Sequence, residues 1–431
     1  MAVEAEKKIL TTTGGLAPKD AALRTRAAVV IPGGMYGHMS TRLLPPGYPQ
    51  FMSTGQGARI VDVDGREYVD LMCSYGPVIV GHRHPDVERA AAAQAAAGDC
   101  LNGPTERMVE LAEKLVDTVQ HADWAMFAKN GTDATTLCCT VARAASGRRK
   151  VLVAQGAYHG ASPWFTPIEV GTTPADRANF VHYEYNDLAS VRAAADGVVG
   201  DLAGVLVSPF KHDAGKDQEV VDPSFAKGVR ALCDETGAAL ILDDVRCGFR
   251  LHHGGSWEPI GVTPDLSAWS KAIANGYALA AVLGGERFRE AATSIFATGS
   301  FWFSSVAMAA SLATIEVLER ERSVAHMVRM GTALREGIEA QAAHHGFEVH
   351  QTGPVQMPFL SFVDDRDHAI AGRFCGLALR HGVYLHPRHN WFVSAAMTDL
   401  DLAMALDGTD RAFAELGDAL AEHEEARLVT R

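Results

Sequence analysis

Ala239-Leu-Ile-Leu-Asp243-Asp244-Val245 and, further along, Leu266-Ser-Ala-Trp-Ser270-Lys271 decide the reading of this chain. A short aliphatic run without polar alternation suits a strand covered on both faces, the condition of a parallel sheet clothed by helices. Ala238–Leu242 and Leu266–Trp269 are two such runs, and Lys150–Ala154 and Leu202–Val207 are two more. Between about Asn130 and Gly284 they alternate with longer helical patterns, which predicts an α/β domain built on a parallel sheet. Sheets of that kind bind ligands at the C-terminal edges of their strands. Asp243 closes one run and Lys271 follows another, 271 − 243 = 28 residues later, the length of one crossover between strands. A carboxylate that ends a buried strand is costly unless it meets a positive partner.

Outside that core, Ile60–Leu71 alternates apolar and polar residues around Asp64-Gly65, which predicts a hairpin with a tight turn. The alanine run Ala90–Ala97 favours a helix that Gly98 ends. From Ala307 to Ala343 the positions Leu312, Ile315, Val324, Met327, Leu334 and Ile338 recur at helical spacing and read as core. Extended runs follow near Phe359–Val363 and Gly382–Leu385, so a smaller α+β domain is expected at the C-terminus.

Composition narrows the classes. The chain has 431 residues, 47% hydrophobic and 21% charged, a globular balance. No apolar stretch approaches the roughly 20 residues a membrane-spanning helix needs. The short Ile9-Leu-Thr-Thr-Thr13 stretch, with charges on both sides, lacks the apolar core of a signal peptide, so the cytoplasm is expected. Lys plus Arg total 39 against 52 Asp plus Glu, a net charge of −13 that repels nucleic acid and anionic lipid. Neither is expected as a partner. The seven cysteines never form Cys-x-x-Cys and read as reduced thiols. His82-Arg83-His84, His252-His253 and His344-His345 lack a carboxylate at ligand spacing, and no metal is expected.

Several motifs fail. The Asp243 strand looks like the magnesium-binding strand of a nucleotide-binding fold, but no Gly-x-x-x-x-Gly-Lys-[Ser/Thr] accompanies it. Gly55-Gln56-Gly57 lacks the third glycine of a dinucleotide fingerprint and reads as a turn. There is no Gly-x-Ser-x-Gly elbow. What survives is a constellation of three parts. Asn130-Gly131-Thr132-Asp133-Ala134 opens a helix that runs through Thr140, Val141 and Ala142. By itself it is a helix cap; its free N–H groups also suit a phosphate. Asp243 suits a protonated pyridine nitrogen, and Lys271 places an amine at a strand edge. Each alone could be a solvated residue or an ion pair. Together they specify pyridoxal phosphate, with Lys271 as its Schiff base.

These residues carry a resemblance. Pro32-Gly33-Gly34, Asp62-Val-Asp-Gly65, Gly76-Pro77, Gly81-His82, Pro104-Thr105-Glu106, Tyr158-His159-Gly160, Asp243-Asp244-Val245, Gly248-Phe249-Arg250, Gly261-Val-Thr-Pro-Asp-Leu266 and Lys271 occur in order over most of the chain. The chain resembles the class III pyridoxal-phosphate aminotransferases and is similar in particular to the glutamate-1-semialdehyde aminomutase branch. The resemblance implies a fold-type-I transferase: a mostly parallel seven-stranded sheet flanked by helices, with a smaller α+β domain. The implied division is an N-terminal segment, 1–70, packing with the small domain, a cofactor-binding domain, 71–318, and the small domain, 319–431. It implies transfer of an amino group between an amino acid or amine and a carbonyl compound. An intramolecular aminomutase and an amino-acid racemase or epimerase share the chemistry and stay open.

By the same resemblance, Lys271 carries the cofactor and shuttles the proton, and Asp243 keeps the pyridine nitrogen protonated. Tyr158 stacks on the ring, Val245 packs on its other face, and Asn130, Gly131, Thr132 and His159 complete the cofactor contacts. Tyr158-His159 could otherwise be a surface loop pair. A homodimer is implied, its active site shared, with Gly299-Ser300 of the neighbouring subunit touching the phosphate. Departures fall on substrate contacts: the branch's carboxylate-binding arginine reads as Ser40, with Arg42 two residues on, and its usual Glu-Pro reads as Ser208-Pro209. Its C-terminal Phe-Glu stretch is shortened to Arg388-His389-Asn390-Trp391. Tyr75, Arg42, Arg246 and Trp391 are the candidate substrate contacts.

Overall fold

The computed structural model describes residues 17–429, with side-chain surroundings through Asp418; the Ile9–Thr13 stretch lies outside the described residues. The central sheet has seven strands in the spatial order Trp124–Ala128, Ala280–Gly284, Leu266–Trp269, Ala239–Asp243, Leu202–Val207, Lys150–Ala154 and Phe180–Tyr183. Neighbours are parallel except that Ala280–Gly284 runs against both of its own. The reason is the connection. Residues 270–279 hold one 3₁₀ turn, Lys271–Ala274, and then reverse at Asn275 (φ 45°) and Gly276 (φ 99°). A parallel return needs a crossover of about a dozen residues or more. Every residue of Leu202–Val207, Ala239–Asp243, Leu266–Trp269 and Ala280–Gly284 is buried, as the aliphatic runs predict.

Successive side chains serve opposite faces. Ile241 joins Leu206, Ala268 and the helix Gly131–Ser146 through Cys138 and Val141, whereas Leu240 and Leu242 join Val205, Val207 and the helix Pro223–Thr236 through Phe225 and Val229. Asp243 pairs in register with Ala268 of the neighbouring strand, so the Asp243 strand and the strand leading to Lys271 lie side by side. Their crossover differs from the expected helix. Residues 246–265 are rich in glycine, proline and histidine and form bends with a single 3₁₀ turn, Glu258–Ile260.

The expected hairpin belongs to a larger unit. Met52–Gln56, Arg59–Asp62 and Glu67–Asp70 form an antiparallel meander, and Val383–Tyr384 adds in parallel beside Glu67–Asp70, joining distant parts of the chain in one sheet. The long helical pattern is two helices, Ser305–Arg320 and Ser323–His344, separated where Arg322 turns left-handed (φ 52°). Among the described residues no helix is long and apolar enough to cross a membrane, and no group of three His, Cys, Asp or Glu could hold a metal ion.

Asn275 is the joint between the sheet and the segment above it. Its Oδ1 accepts the N–H groups of Ile79 (2.9 Å) and Val80 (3.0 Å), and its Nδ2 donates to the Gly81 carbonyl (2.8 Å), all buried. Replacing it by alanine strands three buried backbone groups. Asn275→Ala is expected to lower the thermal midpoint by about 4 °C or more, measured by differential scanning calorimetry.

Candidate active site

Four strand ends and one helix start meet around a cavity of about 270 Å³. Its walls include Asn130, Gly131, Thr132, Tyr158, His159, Gly160, His212, Asp243, Val245, Arg246, Ser270 and Lys271. Most of the residues expected from the sequence are thus brought together. Asn130, extended and outside the helix, accepts the Asp133 N–H through Oδ1 at 3.0 Å. The first-turn N–H groups of Gly131 and Thr132 have no partner within the helix and stand at the cavity wall. Thr132 Oγ1 accepts the Ala161 N–H (3.1 Å), and Thr135 Oγ1 lies 2.7 Å from the His159 carbonyl, tying the Tyr158–Gly160 loop to the helix start. A Cβ on Gly131 would come within 2.6 Å of Val245 Cγ1, so only glycine lets the cradle close against Val245.

Asp243, nine-tenths buried, accepts the Val245 N–H on Oδ1 (3.1 Å) and faces His159 Nδ1 with Oδ2 (2.7 Å). A carboxylate only accepts, so the imidazole proton sits on Nδ1. His159 Nε2 is buried without a partner among the described residues. His159 therefore holds the carboxylate from behind. Lys271 begins its 3₁₀ turn in the left-handed region (φ 46°), strained backbone for a non-glycine residue. Loss of solvent, then the charge of Arg246, pushes its amine down to about 7, and Asp243 opposes that shift.

Arg246 lines the cavity with only 9% of its surface exposed. Its Nη1 donates to Asn390 Oδ1 (2.5 Å), while its Nε is buried without a partner among the described residues. Tyr75 is not on the cavity wall; its ring lies 5.1 Å from that of His389, and it ends a left-handed run, Cys73 (φ 47°), Ser74 (φ 54°) and Tyr75 (φ 63°). Asp70 Oδ1 accepts the N–H groups of Met72 and Cys73 (2.9 Å each), and Arg250 Nη2 donates to the Gly76 carbonyl (2.9 Å), pinning that run from both ends.

Four further expected site residues lie off the cavity wall. Arg42 is exposed and outside the cavity wall, where the neighbouring Ser40 Oγ accepts its backbone N–H. Trp391 belongs to the apolar core, 1% exposed, with its indole N–H donated to the His386 carbonyl (3.0 Å); its size and its single donor are satisfied there. Neither of these two expected substrate contacts is on the wall of this chain's own cavity. Gly299 and Ser300 lie off the cavity of their own chain, in a segment that exposes Phe296 and Phe301. Sequence reasoning missed His212, Thr135 and Ser270. His212 follows the Leu202–Val207 strand, and the strand-end rule that picked out Asp243 would have found it too. Burial and the cations Arg246 and Lys271 hold its imidazole well below the usual range, hence neutral.

The set of donors fits a phosphate-bearing aromatic cofactor: N–H groups at a helix start, a carboxylate at a strand end, and an amine near neutrality. Comparison with known proteins agrees. The family described as aminotransferase class-III matches residues 46–399. The aminopentol aminotransferase of Sphingopyxis macrogoltabida is 50% identical over 391 residues, covering 91% of this chain and 93% of that protein. The glutamate-1-semialdehyde 2,1-aminomutase of Chloroherpeton thalassium is 31% identical over 90% of this chain and 96% of its own. Among solved structures, the FumI protein of Sphingopyxis sp. MTA144, in its PLP internal aldimine form, superimposes with a TM-score of 0.92 at 49% identity, over 93% of this chain and 97% of that one. An omega-transaminase from Sphaerobacter thermophilus follows at 0.84 and 26%, over 92% and 97%.

The close approach of Gly131 to Val245 yields a test. Gly131→Ala is expected to weaken pyridoxal phosphate binding by about tenfold or more, read by fluorescence titration of the stripped protein, and adding Val245→Ala should recover most of it. Equal affinity in the wild type and Gly131→Ala would show that the cradle does not depend on this contact.

Proposed function

The chain belongs to the class-III aminotransferases and is a pyridoxal-phosphate-dependent enzyme that moves an amino group between an amine or amino acid and a carbonyl compound; from that premise we propose how its own residues divide the work. Lys271 carries the proposal: an amine near pH 7 at the end of the strand beside Asp243, facing an anion cradle. When bound, the cofactor supplies an electron-accepting ring that stabilises negative charge on the amine-bearing carbon. Lys271 Nζ would hold the cofactor, and its amine, close to neutrality, would move the proton of that carbon. Asp243, held by His159, keeps the ring nitrogen protonated. Gly131 and Thr132 would hold the phosphate, and Tyr158 and Val245 would flank the ring.

The second proposal concerns the substrates. Ser40 cannot make the bidentate contact that an arginine would, whereas Arg246 has a buried Nε with no partner among the described residues. Arg246 is the anchor for the carboxylate of the carbonyl partner, and the amine partner needs no carboxylate. A relative half identical in sequence is named for an aminopentol, which supports that division. Exposed Phe296 and Phe301, flanking Gly299 and Ser300, support a homodimer in which that segment reaches the neighbouring phosphate.

A transaminase needs a second substrate, and an aminomutase or racemase does not. Strict dependence of product formation on an added keto acid, with the cofactor recovered as pyridoxamine phosphate after amine alone, is the expected result. Product formed without any acceptor would instead favour the aminomutase or racemase. Arg246→Met is expected to raise the Michaelis constant for a keto acid by the loss of a charge-assisted pair, about 1.5–3 kcal/mol, and to leave that for a neutral amine unchanged. Unchanged constants for both would remove Arg246 from the carboxylate site.

A further inference from the structure

We propose that the half-ring of imidazoles around Tyr75, formed by His38, His386 and His389, determines the amine partner, and that it takes an uncharged chain bearing hydroxyl groups near the amino-bearing carbon. The proposal rests on the aminotransferase reading and goes beyond it by assigning the surface that selects the amine. Tyr75 has its ring centroid 4.5 Å from His38, 5.1 Å from His389 and 6.2 Å from His386, all edge-on. The group adjoins the reacting amine. Gly76, next to Tyr75, lies so near Lys271 that a Cβ there would meet Lys271 Cδ at 3.4 Å and Phe392 at 3.0 Å, and the Phe392 ring lies 5.8 Å from that of His389. It also adjoins Arg246, because Asn390 joins the two: Oδ1 holds Arg246, and the backbone carbonyl lies 2.7 Å from His389 Nδ1.

The ring nitrogens are complementary. His386 Nδ1 accepts the Arg388 N–H (3.1 Å), so its proton is on Nε2, which is a donor. His389 Nδ1 faces a carbonyl and must donate, so its Nε2 is an acceptor. Neither Nε2, nor the Tyr75 hydroxyl, has a hydrogen-bond partner among the described residues. A hydroxyl group both donates and accepts, and matches such a pair. Loss of solvent, reinforced by Arg388 and His38, pushes His386 down to about 4, and loss of solvent with Arg246 holds His389 well below the usual range. Both rings are therefore neutral at pH 7 and offer a carboxylate no charge. A purely aliphatic chain would desolvate unpartnered polar groups, each at a cost.

The test compares a long-chain vicinal amino alcohol with the chain-matched amine that lacks the hydroxyl. The wild-type holoenzyme is expected to prefer the amino alcohol in kcat/KM. His386→Phe and His389→Phe should each lower kcat/KM for the amino alcohol by about 3- to 10-fold, the range of one neutral hydrogen bond, and leave the deoxy amine unchanged, and His386→Phe, which does not touch Asn390, should also leave the Michaelis constant for the keto acid unchanged. His389→Gln, which keeps an acceptor, should recover most of the loss. Calorimetric titration of the Lys271→Ala protein with both amines reads the same preference without turnover. No hydroxyl preference in the wild type, or equal losses on both amines, would overturn the proposal. Failure of the wild type to convert any amine would instead overturn the aminotransferase reading, and the calorimetric preference would still decide the role of the imidazoles.

Discussion

Lys271 sits where a lysine is least comfortable: in a left-handed backbone, two residues past the end of a buried strand, with loss of solvent and then the charge of Arg246 pushing its amine down to about 7. Surface lysines titrate near 10.4 and give almost no free amine at neutral pH. The same constraint shapes the sheet. The chain must leave the strand edge at once to project the amine into the cavity, so it makes a 3₁₀ turn and reverses at Asn275, and the next strand has no choice but to return antiparallel. Asn275 then satisfies backbone groups of Ile79, Val80 and Gly81, which fixes the loop above the amine to the turn below it. Geometry of the amine, direction of the strand and position of the covering loop are thus one problem with one solution.

Charge around the cavity is set against the charge of the whole molecule. The chain carries a net −13, yet the site gathers Lys271 and Arg246 with a helix start, against the single carboxylate of Asp243. That carboxylate is spoken for on both oxygens, by the Val245 N–H and by His159. Because low dielectric strengthens every interaction of these groups, a small number of charges suffices to give the cavity distinct cationic and anionic walls. The histidines contribute by staying neutral: His212 and His389 both lie in the field of Arg246 and Lys271, which disfavours a further positive charge.

The sheet was legible because burial on both faces leaves a strong trace in sequence. Leu202–Val207, Leu266–Trp269 and Lys150–Ala154 have the bounds expected from composition alone. Asp243, Lys271 and the Asn130–Thr132 turn were legible for the opposite reason, since each is a polar group at a place where polarity is expensive. Crossovers and substrate contacts were not. The 246–265 connection carries breakers in place of helical periodicity, and Arg42, two residues from Ser40, and Trp391, in the shortened Arg388–Trp391 stretch, are placed only along the chain, which does not report direction in space. Arg246 lines the cavity because a strand end fixes the direction of its neighbours. The imidazole group is invisible in one dimension: His38, His386 and His389 converge only because the N-terminal segment and the loop after Val383–Tyr384 fold over the same strand edge.

The strained run Cys73-Ser74-Tyr75 shows what holds that edge in place. Three consecutive non-glycine residues in the left-handed region cost about 1–2 kcal/mol each. Such a run persists only where its surroundings over-determine it. Here Asp70 accepts two N–H groups at its start, and Arg250, fully buried, takes the Gly76 carbonyl at its end while stacking 5.1 Å above Phe392 and binding the Val393 carbonyl. Hydrogen bonds to charged groups contribute about 1.5–3 kcal/mol each, so these contacts are of the size needed to offset the strain. Asp70 itself belongs to the strand that pairs with Val383–Tyr384, and its other oxygen meets His82 Nε2 at 2.7 Å. The N-terminal meander, the C-terminal strand and the buried arginine therefore act together on one short segment, and the product of their combined hold is the close approach of Gly76, next to Tyr75, to Lys271.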